Sequence, residues 1–213
     1  DLLCRMPERL LPWFARYRRD LPWRRDRAPY HVWLSEIMLQ QTRVEAVKGY
    51  YRRFLEQLPT IADLAQAEET QLLKLWEGLG YYSRVRNLQK AAKVIQREHG
   101  GVFPRDHSAI RALPGIGEYT AGAISSICFD EKTPAVDGNV LRVVSRVLDD
   151  HSCTDDGKVK RRISQDLREI YPEEAGDFTQ ALMELGATVC LPKGAPKCES
   201  CPMGDLCLAR QRG

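Results

Sequence analysis

Apolar residues recur at helical spacing along almost the whole chain. The pattern predicts helices over 8–18, 31–57, 61–77, 83–99, 107–129, 137–149 and 158–189. No stretch alternates strictly between apolar and polar residues, as a half-buried strand would. Proline and glycine predict breaks at Leu21-Pro22, Leu58-Pro59, Gly78 to Gly80, Gly100-Gly101, Leu113 to Gly117 and Thr133-Pro134. The sequence therefore predicts an all-α fold with short connections.

Length and composition fit a folded protein of one or two domains. The 213 residues are 43% hydrophobic and 29% charged, which excludes wholesale disorder. The net charge of +3 is too small to predict a polyanionic partner by itself. No apolar run approaches the ~18 residues of a membrane span, and the N-terminus lacks the order of a secretion signal. We expect a soluble intracellular protein without a membrane partner.

The cysteines are concentrated near the C-terminus. Four of the seven, Cys190, Cys198, Cys201 and Cys207, have the spacing C-x7-C-x2-C-x5-C. An odd total and this crowding argue against a disulfide framework. Proline and glycine between the cysteines let the backbone bend, so that four thiolates could converge on one metal centre. Structural zinc and an iron-sulfur cluster both suit four cysteines, and a single CxxC with longer arms favours a [4Fe-4S] cluster.

Residues 31–40, HVWLSEIMLQ, predict a buried helix with an acidic residue in its middle. Burial disfavours a charged carboxylate, so Glu36 is expected to hold a proton near neutral pH unless an arginine neutralises it. Two interpretations are open at this point. Glu36 is either a general acid or a salt-bridged structural residue.

Residues 113–120, LPGIGEYT, predict a glycine-containing turn between two helices. Gly115 and Gly117 can expose N–H groups at a helix N-terminus, which suits a phosphate, although such turns are commonly plain connections. Asp137 lies in the next connection and is a good N-cap for the helical run behind it. A carboxylate there could also stabilise positive charge on a sugar. With Glu36 it would form a two-carboxylate pair like that of glycoside hydrolysis.

Five segments occur in one order along the whole chain: WLSEIMLQQT (33–42), GLGYYSR (78–84), LPGIGEYTAGAI (113–124), VDGNVLRV (136–143) and the C-terminal cysteines. Together they resemble the MutY adenine DNA glycosylases, of the helix-hairpin-helix superfamily that includes endonuclease III. The resemblance implies two helical domains with a DNA cleft between them. These are a six-helix barrel with the helix-hairpin-helix over 22–132, and an iron-sulfur cluster domain formed by 1–21 and 133–213.

The resemblance implies a base excision repair enzyme acting on double-stranded DNA. It would flip out an adenine mispaired with 8-oxoguanine or guanine and hydrolyse its N-glycosidic bond, leaving an abasic site. We expect a monomer in the bacterial cytoplasm, associated with the nucleoid.

The resemblance also implies a role for each matching residue. Glu36 would protonate the adenine ring, and Asp137 would stabilise the oxocarbenium-like sugar, supported by Tyr119 and Asn139. Gln41 and Tyr81 would wedge into the base stack. Trp23, Arg24, Leu39 and Gln180 would form the wall of the adenine pocket, Arg84 would join the DNA contacts, Gly115 and Gly117 would grip a phosphate, and Cys190, Cys198, Cys201 and Cys207 would hold the [4Fe-4S] cluster.

The sequence departs from the family in the cysteine loop and at its end. Seven residues separate Cys190 from Cys198, where the family usually has six, which changes the loop more than the ligand set. Full-length members carry a further domain that recognises 8-oxoguanine. Because this chain ends at Gly213, we expect a reduced preference for the oxidised base.

The main alternative is an endonuclease III-like enzyme, which removes oxidised pyrimidines and nicks DNA through a lysine Schiff base in the hairpin. Tyr119 occupies the matching position, and no lysine occurs between Lys93 and Lys132. This predicts a monofunctional glycosylase. A G·T thymine glycosylase also has tyrosine there, but the first two segments favour the adenine branch. A non-catalytic DNA-binding module and a zinc-stabilised structural protein are the alternatives from other classes.

Overall fold

The computed structural model describes residues 2–213, which form α-helices and short 3-10 turns and contain no β-strand. The all-α class predicted from the sequence is confirmed. Within the same residues, no helix combines the length and apolar character needed to cross a bilayer. The helices are α1 (Met6–Tyr17), α2 (Pro29–Leu39), α3 (Val44–Gln57), α4 (Ile61–Gln66), α5 (Glu69–Trp76), α6 (Ser83–Glu98), α7 (His107–Arg111), α8 (Glu118–Phe129), α9 (Gly138–Leu148), α10 (Gly157–Ile170), α11 (Ala175–Thr188) and α12 (Leu208–Arg212).

The chain divides into two compact units. The hairpin unit is Asp20–Ile124, and the cysteine unit is Asp1–Arg19 together with Ser125–Gly213. The division falls inside α8, earlier than the 132/133 boundary that the resemblance implies. The end of α8 belongs to the cysteine unit because Ser126 Oγ accepts a hydrogen bond from Thr179 Oγ1 (2.7 Å).

In the hairpin unit, α2 packs on α3, and α5 contacts both α3 and α6. Phe54 of α3 meets Trp76 of α5 edge-on, with ring centroids 6.1 Å apart. The predicted burial of α2 is confirmed, since it contributes to the core the side chains of Tyr30, Val32, Trp33, Leu34, Ile37 and Met38. This unit therefore has its own apolar core around α2.

The prediction of continuous helices over 31–57 and 61–77 was wrong. Both segments break where a distant side chain captures the carbonyls at a helix end. Arg84 donates to the end of α2. Gln89 Nε2 donates to the carbonyls of Leu64 (3.2 Å) and Ala67 (2.6 Å) at the end of α4. Side chains far along the chain thus take the place of local caps.

The predicted helix over 158–189 is also two helices. α10 ends at Ile170, and Pro172 follows within the connection. Proline disfavours helical backbone at the residue before it, so this break carried a local signal. The N–H of Gly176, in the first turn of α11, donates to Asp130 Oδ1 (2.9 Å).

In the cysteine unit, α9 contacts α10, α11 and α12, and α1 packs on α11. The core between them includes Leu10, Phe14, Val144, Phe178 and Leu185. This apolar cluster reaches the cysteine-rich segment, because Met203, which is fully buried, belongs to it. The segment is therefore packed onto the helices.

A buried ion pair joins the chain after α1 to α11. The Glu184 side chain is 1% exposed. It accepts hydrogen bonds from the Arg19 N–H (2.9 Å), from Arg19 Nε (2.9 Å) and from Arg19 Nη2 (3.1 Å). The pairing of these two residues was not predicted, and an acid on the apolar face of α11 was the available sequence signal.

Candidate functional site

The acidic residue of α2 lies among core residues. Glu36 is half-buried, while its neighbours Ser35 and Ile37 are buried. Pro29 at the first position of α2 suits a helix start, because its fixed φ is helical and it needs no hydrogen-bond partner there. The rigid apolar helix thereby places one carboxyl group at the edge of the core.

The predicted turn between two helices is confirmed. α7 ends at Arg111 and α8 begins at Glu118. Gly115 has φ +78°, and a Cβ there would lie 2.7 Å from the Asn87 Cβ, so both conformation and space require glycine. Gly117 is exposed and faces open space. The first N–H groups of α8 have no acceptor within their own helix, which leaves them suited to bind an anion.

An arginine braces this turn. Arg111 Nε donates to Glu118 Oε2 (3.3 Å), and Arg111 Nη1 donates to the Ile116 carbonyl (3.2 Å). Ile116 itself is buried, which anchors the tip of the turn in the hairpin unit. Tyr119 follows in the first turn of α8 and is half-buried. The hairpin is therefore held on both sides of its glycines.

Asp137 is the N-cap of α9, as the sequence predicts. Its Oδ1 accepts a hydrogen bond from the Val140 N–H (2.8 Å), and its Oδ2 accepts one from Asn139 Nδ2 (3.2 Å). Both oxygens are thus oriented by the first turn of the helix. The carboxylate is half-buried, so a capping role and contact with a bound molecule are compatible.

Arg142 supports this carboxylate from behind. Its Nη2 donates to Asn139 Oδ1 (2.8 Å) and to the Gly186 carbonyl (2.7 Å), and its Nε donates to the Cys190 carbonyl (2.9 Å). Burial removes water from the guanidinium and lowers the pKa of Arg142. A hydrogen-bonded chain therefore runs from Asp137 to the start of the cysteine segment. Sequence reasoning missed Arg142, although an arginine within the apolar pattern of α9 was a signal.

The four clustered cysteines line one cavity of about 360 Å³ in the cysteine unit. Arg146 contacts two of them: its Nη1 donates to Cys190 Sγ (3.4 Å), and its carbonyl accepts from Cys207 Sγ (3.3 Å). Burial raises the pKa of the Cys201 thiol to about 11. The four predicted ligands border one cavity, and metal binding by them remains a prediction.

This cavity is the place where the four cysteines could hold a metal group. Among residues 2–213, no three His, Cys, Asp or Glu side chains are grouped closely enough to hold one metal ion. Gly204 lines the same cavity, and a Cβ there would lie 2.8 Å from the Cys198 carbonyl oxygen. The backbone of the cysteine segment is therefore packed closely at Gly204, where glycine is required.

The remaining predicted site residues are divided between the two units. Gln41 and Tyr81 are exposed, and Trp23 is buried edge-on against Tyr51 with ring centroids 5.5 Å apart. Gln180 of α11 is half-buried, and its Nε2 donates to the Gly176 carbonyl (3.3 Å). Half-buried Arg24, Leu39 and Glu36 lie in the hairpin unit, whereas Gln180, Asn139 and Asp137 lie in the cysteine unit. The adenine pocket and the carboxylate pair remain predictions.

The sequence is similar to curated adenine DNA glycosylases. It is 46% identical to that of Rattus norvegicus over 95% of this chain and 41% of the relative. It is 48% identical to that of Homo sapiens over 95% of this chain and 39% of the relative. For Schizosaccharomyces pombe the identity is 41%, over 97% and 49%. The chain spans about half or less of the length of these relatives.

The fold is similar to solved repair enzymes. A thermostable thymine-DNA glycosylase matches with a TM-score of 0.87 and 29% identity over 97% of this chain and 95% of that one. A non-covalent endonuclease III–DNA complex matches with a TM-score of 0.79 and 25% identity over 97% and 94%. The model of the HhH-GPD superfamily of base excision DNA repair proteins matches residues 34–173. The chain belongs to this superfamily.

Proposed function

We propose that this chain is the catalytic part of an adenine DNA glycosylase, which hydrolyses the N-glycosidic bond of adenine mispaired with 8-oxoguanine or guanine in duplex DNA. The observation that carries the proposal is the contrast in identity. The adenine DNA glycosylases of rat and human are 46% and 48% identical to the chain, whereas the thymine-DNA glycosylase structure is 29% identical. Tyr119, in place of a hairpin lysine, supports hydrolysis without strand cleavage.

In the proposed reaction the two carboxyl groups have opposite tasks. Glu36 donates its proton to the adenine ring, so that the bond between the sugar C1′ and the base breaks with neutral adenine leaving. Asp137, held by Asn139 and Val140, shelters the positive sugar. Water then adds to C1′ and loses a proton, which leaves an abasic site. Gln41 and Tyr81 enter the base stack, and the hairpin around Gly115 grips a phosphate.

Single-turnover base release tests this function. The substrates are four duplexes with A opposite 8-oxoguanine, A opposite G, T opposite G, and an oxidised pyrimidine, each analysed with and without alkali. We expect release from the first two and strand breaks only after alkali. Release of thymine or oxidised pyrimidine alone, or a protein adduct trapped by borohydride, would contradict the proposal.

Cys190, Cys198, Cys201 and Cys207 would hold a [4Fe-4S] cluster. Support comes from the cavity of about 360 Å³ that all four line, and from the single CxxC with longer arms on either side. When bound, a cluster would cross-link the cysteine segment and stabilise its fold. Purified protein should contain iron and acid-labile sulfide and absorb broadly in the visible range. One zinc per chain, without sulfide, would reject the cluster.

We also propose that the protein acts as a monomer, because one chain supplies every residue of the proposed site. Thiolate ligands favour a reducing compartment such as the cytoplasm. Light scattering of the free protein and of its DNA complex measures the mass directly. A dimer in both samples would contradict a monomer.

A further inference from the structure

Two non-glycine residues in the hairpin unit have left-handed backbone. Gln41, just after α2, has φ +56°, and Tyr81, just before α6, has φ +47°. L-residues rarely adopt this region, and they stay there only where the surroundings hold them. Both side chains are exposed, and that of Tyr81 is 63% exposed. Burial of the residue's own side chain therefore cannot hold the left-handed backbone at either position.

One side chain binds the backbone of both turns. Arg84, in the first turn of α6, directs Nη1 at the end of α2 and Nη2 at the loop before α6. Its acceptors are the carbonyls of Ile37 (2.8 Å), Met38 (3.3 Å) and Gln40 (2.7 Å) for Nη1, and of Leu79 (3.2 Å) and Gly80 (3.3 Å) for Nη2. Each set ends one residue before a left-handed residue.

The guanidinium of Arg84 lies over two aromatic rings. Its central carbon lies 5.4 Å from the Trp76 ring centroid and 5.7 Å from that of Tyr81. Burial lowers the pKa of Arg84, and within residues 2–213 it forms no ion pair. Its Nε is buried without a hydrogen-bond partner. Both terminal nitrogens are engaged by carbonyls, so Arg84 has a structural task in addition to the DNA contact that the resemblance implies.

We propose that Arg84 is a positioning residue that fixes the two left-handed turns to each other, so that Gln41 and Tyr81 meet the DNA as one rigid pair. The inference rests on the proposed function, in which these two side chains enter the base stack. The five carbonyls need a planar fork of donors, since they lie on two separate segments. A lysine ammonium is a single point and cannot reach both segments.

The test compares Arg84→Met and Arg84→Lys with Arg86→Met as the control. Arg86 lies on the same helix, is exposed and pairs with Glu69 (3.0 Å). Two readouts are measured: single-turnover adenine release at saturating enzyme, and the fluorescence of 2-aminopurine beside the target base, which rises when stacking is lost. We expect Arg84→Met to slow release about 10²-fold and to reduce the fluorescence rise, because misplacement distant from the chemistry has effects of that size. The control should match wild type in both.

A double-mutant cycle separates positioning from simple stability. In a Gln41→Gly/Tyr81→Gly background the turns keep their backbone but carry no wedge. Arg84→Met should then add less than about 3-fold to the loss, because its effect passes through the missing side chains. Independent, multiplying losses would overturn the inference, as would unchanged fluorescence in Arg84→Met. Loss of the folded state in both Arg84→Met and Arg84→Lys would also overturn it.

The two proposals fail separately. If wild type releases no adenine from any duplex, the proposed function fails, and the fluorescence on binding still measures what Arg84 does. If wild type releases adenine and Arg84→Met matches it in rate and fluorescence, only the role of Arg84 is rejected.

Discussion

Arg84 in the hairpin unit and Arg142 in the cysteine unit both hydrogen-bond to groups next to predicted site residues, but their partners differ. Both guanidinium groups are partly desolvated, and burial lowers both pKa values. Among the residues that the structure describes, Arg84 donates to backbone carbonyls that precede Gln41 and Tyr81. Arg142 donates to backbone carbonyls and also to Asn139 Oδ1, one hydrogen bond from Asp137.

The difference indicates a division of labour between the units. Substitution of Arg84 should impair the distortion of bound DNA, because the side chains that it positions, Gln41 and Tyr81, are exposed. Substitution of Arg142 should slow the bond-breaking step, since Arg142 holds Asn139, which supports the carboxylate proposed to stabilise the sugar. The same substitution should also loosen the cysteine segment, because Arg142 donates a hydrogen bond to the Cys190 carbonyl.

The largest effect is expected from Asp137→Asn. Asparagine is as good an N-cap as aspartate, so α9 should keep its stability while the negative charge is lost. Adenine release should fall by about 10²-fold or more, with DNA affinity retained. The control is Asp205→Asn, which removes an exposed carboxylate paired with Arg9 in the same unit. Equal rates for the two variants would refute the electrostatic role of Asp137.

Arg142→Met should distinguish the role of Arg142 from that of Arg84. We expect adenine release to slow by about 10-fold, the cost of a lost charge-assisted hydrogen bond, while the 2-aminopurine signal stays at the wild-type level. Arg142→Lys should recover part of the rate. If Arg142→Met reduced the fluorescence rise and left the rate of adenine release unchanged, Arg142 would act in DNA distortion and not in bond breaking, which contradicts the proposed division.

Glu184→Gln tests stability without touching the site. It leaves the Arg19 guanidinium beside a neutral, buried partner in place of a carboxylate. The free energy of unfolding should fall by about 2 kcal/mol, the size of hydrogen bonds to a charged group, because the Arg19 side chain is 38% exposed and water can solvate the charge that is left. Urea denaturation measures this. Glu45→Gln, which breaks an exposed pair with Lys48, is the control and should change it by less than about 1 kcal/mol.

The smallest effect concerns Tyr171, whose hydroxyl shares a hydrogen bond with Thr179 (2.8 Å) in the cysteine unit. Burial raises the pKa of Tyr171 from 10.0 to about 12. The stability that this protonated tyrosine contributes is complete below pH 10 and is lost as the pH rises to about 12. The difference in unfolding free energy between wild type and Tyr171→Phe should therefore shrink over that range. A constant difference would contradict the buried assignment.

The sequence predicted those features whose cause is local. The helix over 83–99, the start of α9 behind Asp137 and the glycine turn before α8 follow from periodicity, capping and glycine placement. The break after α2 could not be predicted in this way, because its carbonyls are captured by Arg84, more than 40 residues away. Likewise, the end of α8 joins the cysteine unit through Ser126 and Thr179, a contact that no local pattern contains.

The candidate site was predicted from the ordered sequence segments more than from the physical properties of single residues. On residue type alone, Glu36 suited a structural salt bridge as well as it suited catalysis, and Asp137 was foremost a good N-cap. The ordered set of segments favoured the catalytic roles. The backbone contacts of Arg84 and Arg142 were not predicted. Their partners are carbonyls, which every residue has, so the sequence carries no signal for which ones they bind.

The most direct test of the proposed function is a single-turnover time course of adenine release, from a duplex with A opposite 8-oxoguanine, by wild type and Glu36→Gln. Enzyme is held at a concentration at which both proteins bind all of the DNA. Glutamine keeps the size of the side chain and removes the acidic proton. We predict rapid release by wild type and a loss of about 10²-fold or more in the variant. Release by Glu36→Gln at the wild-type rate would contradict the assignment of Glu36 as the acid.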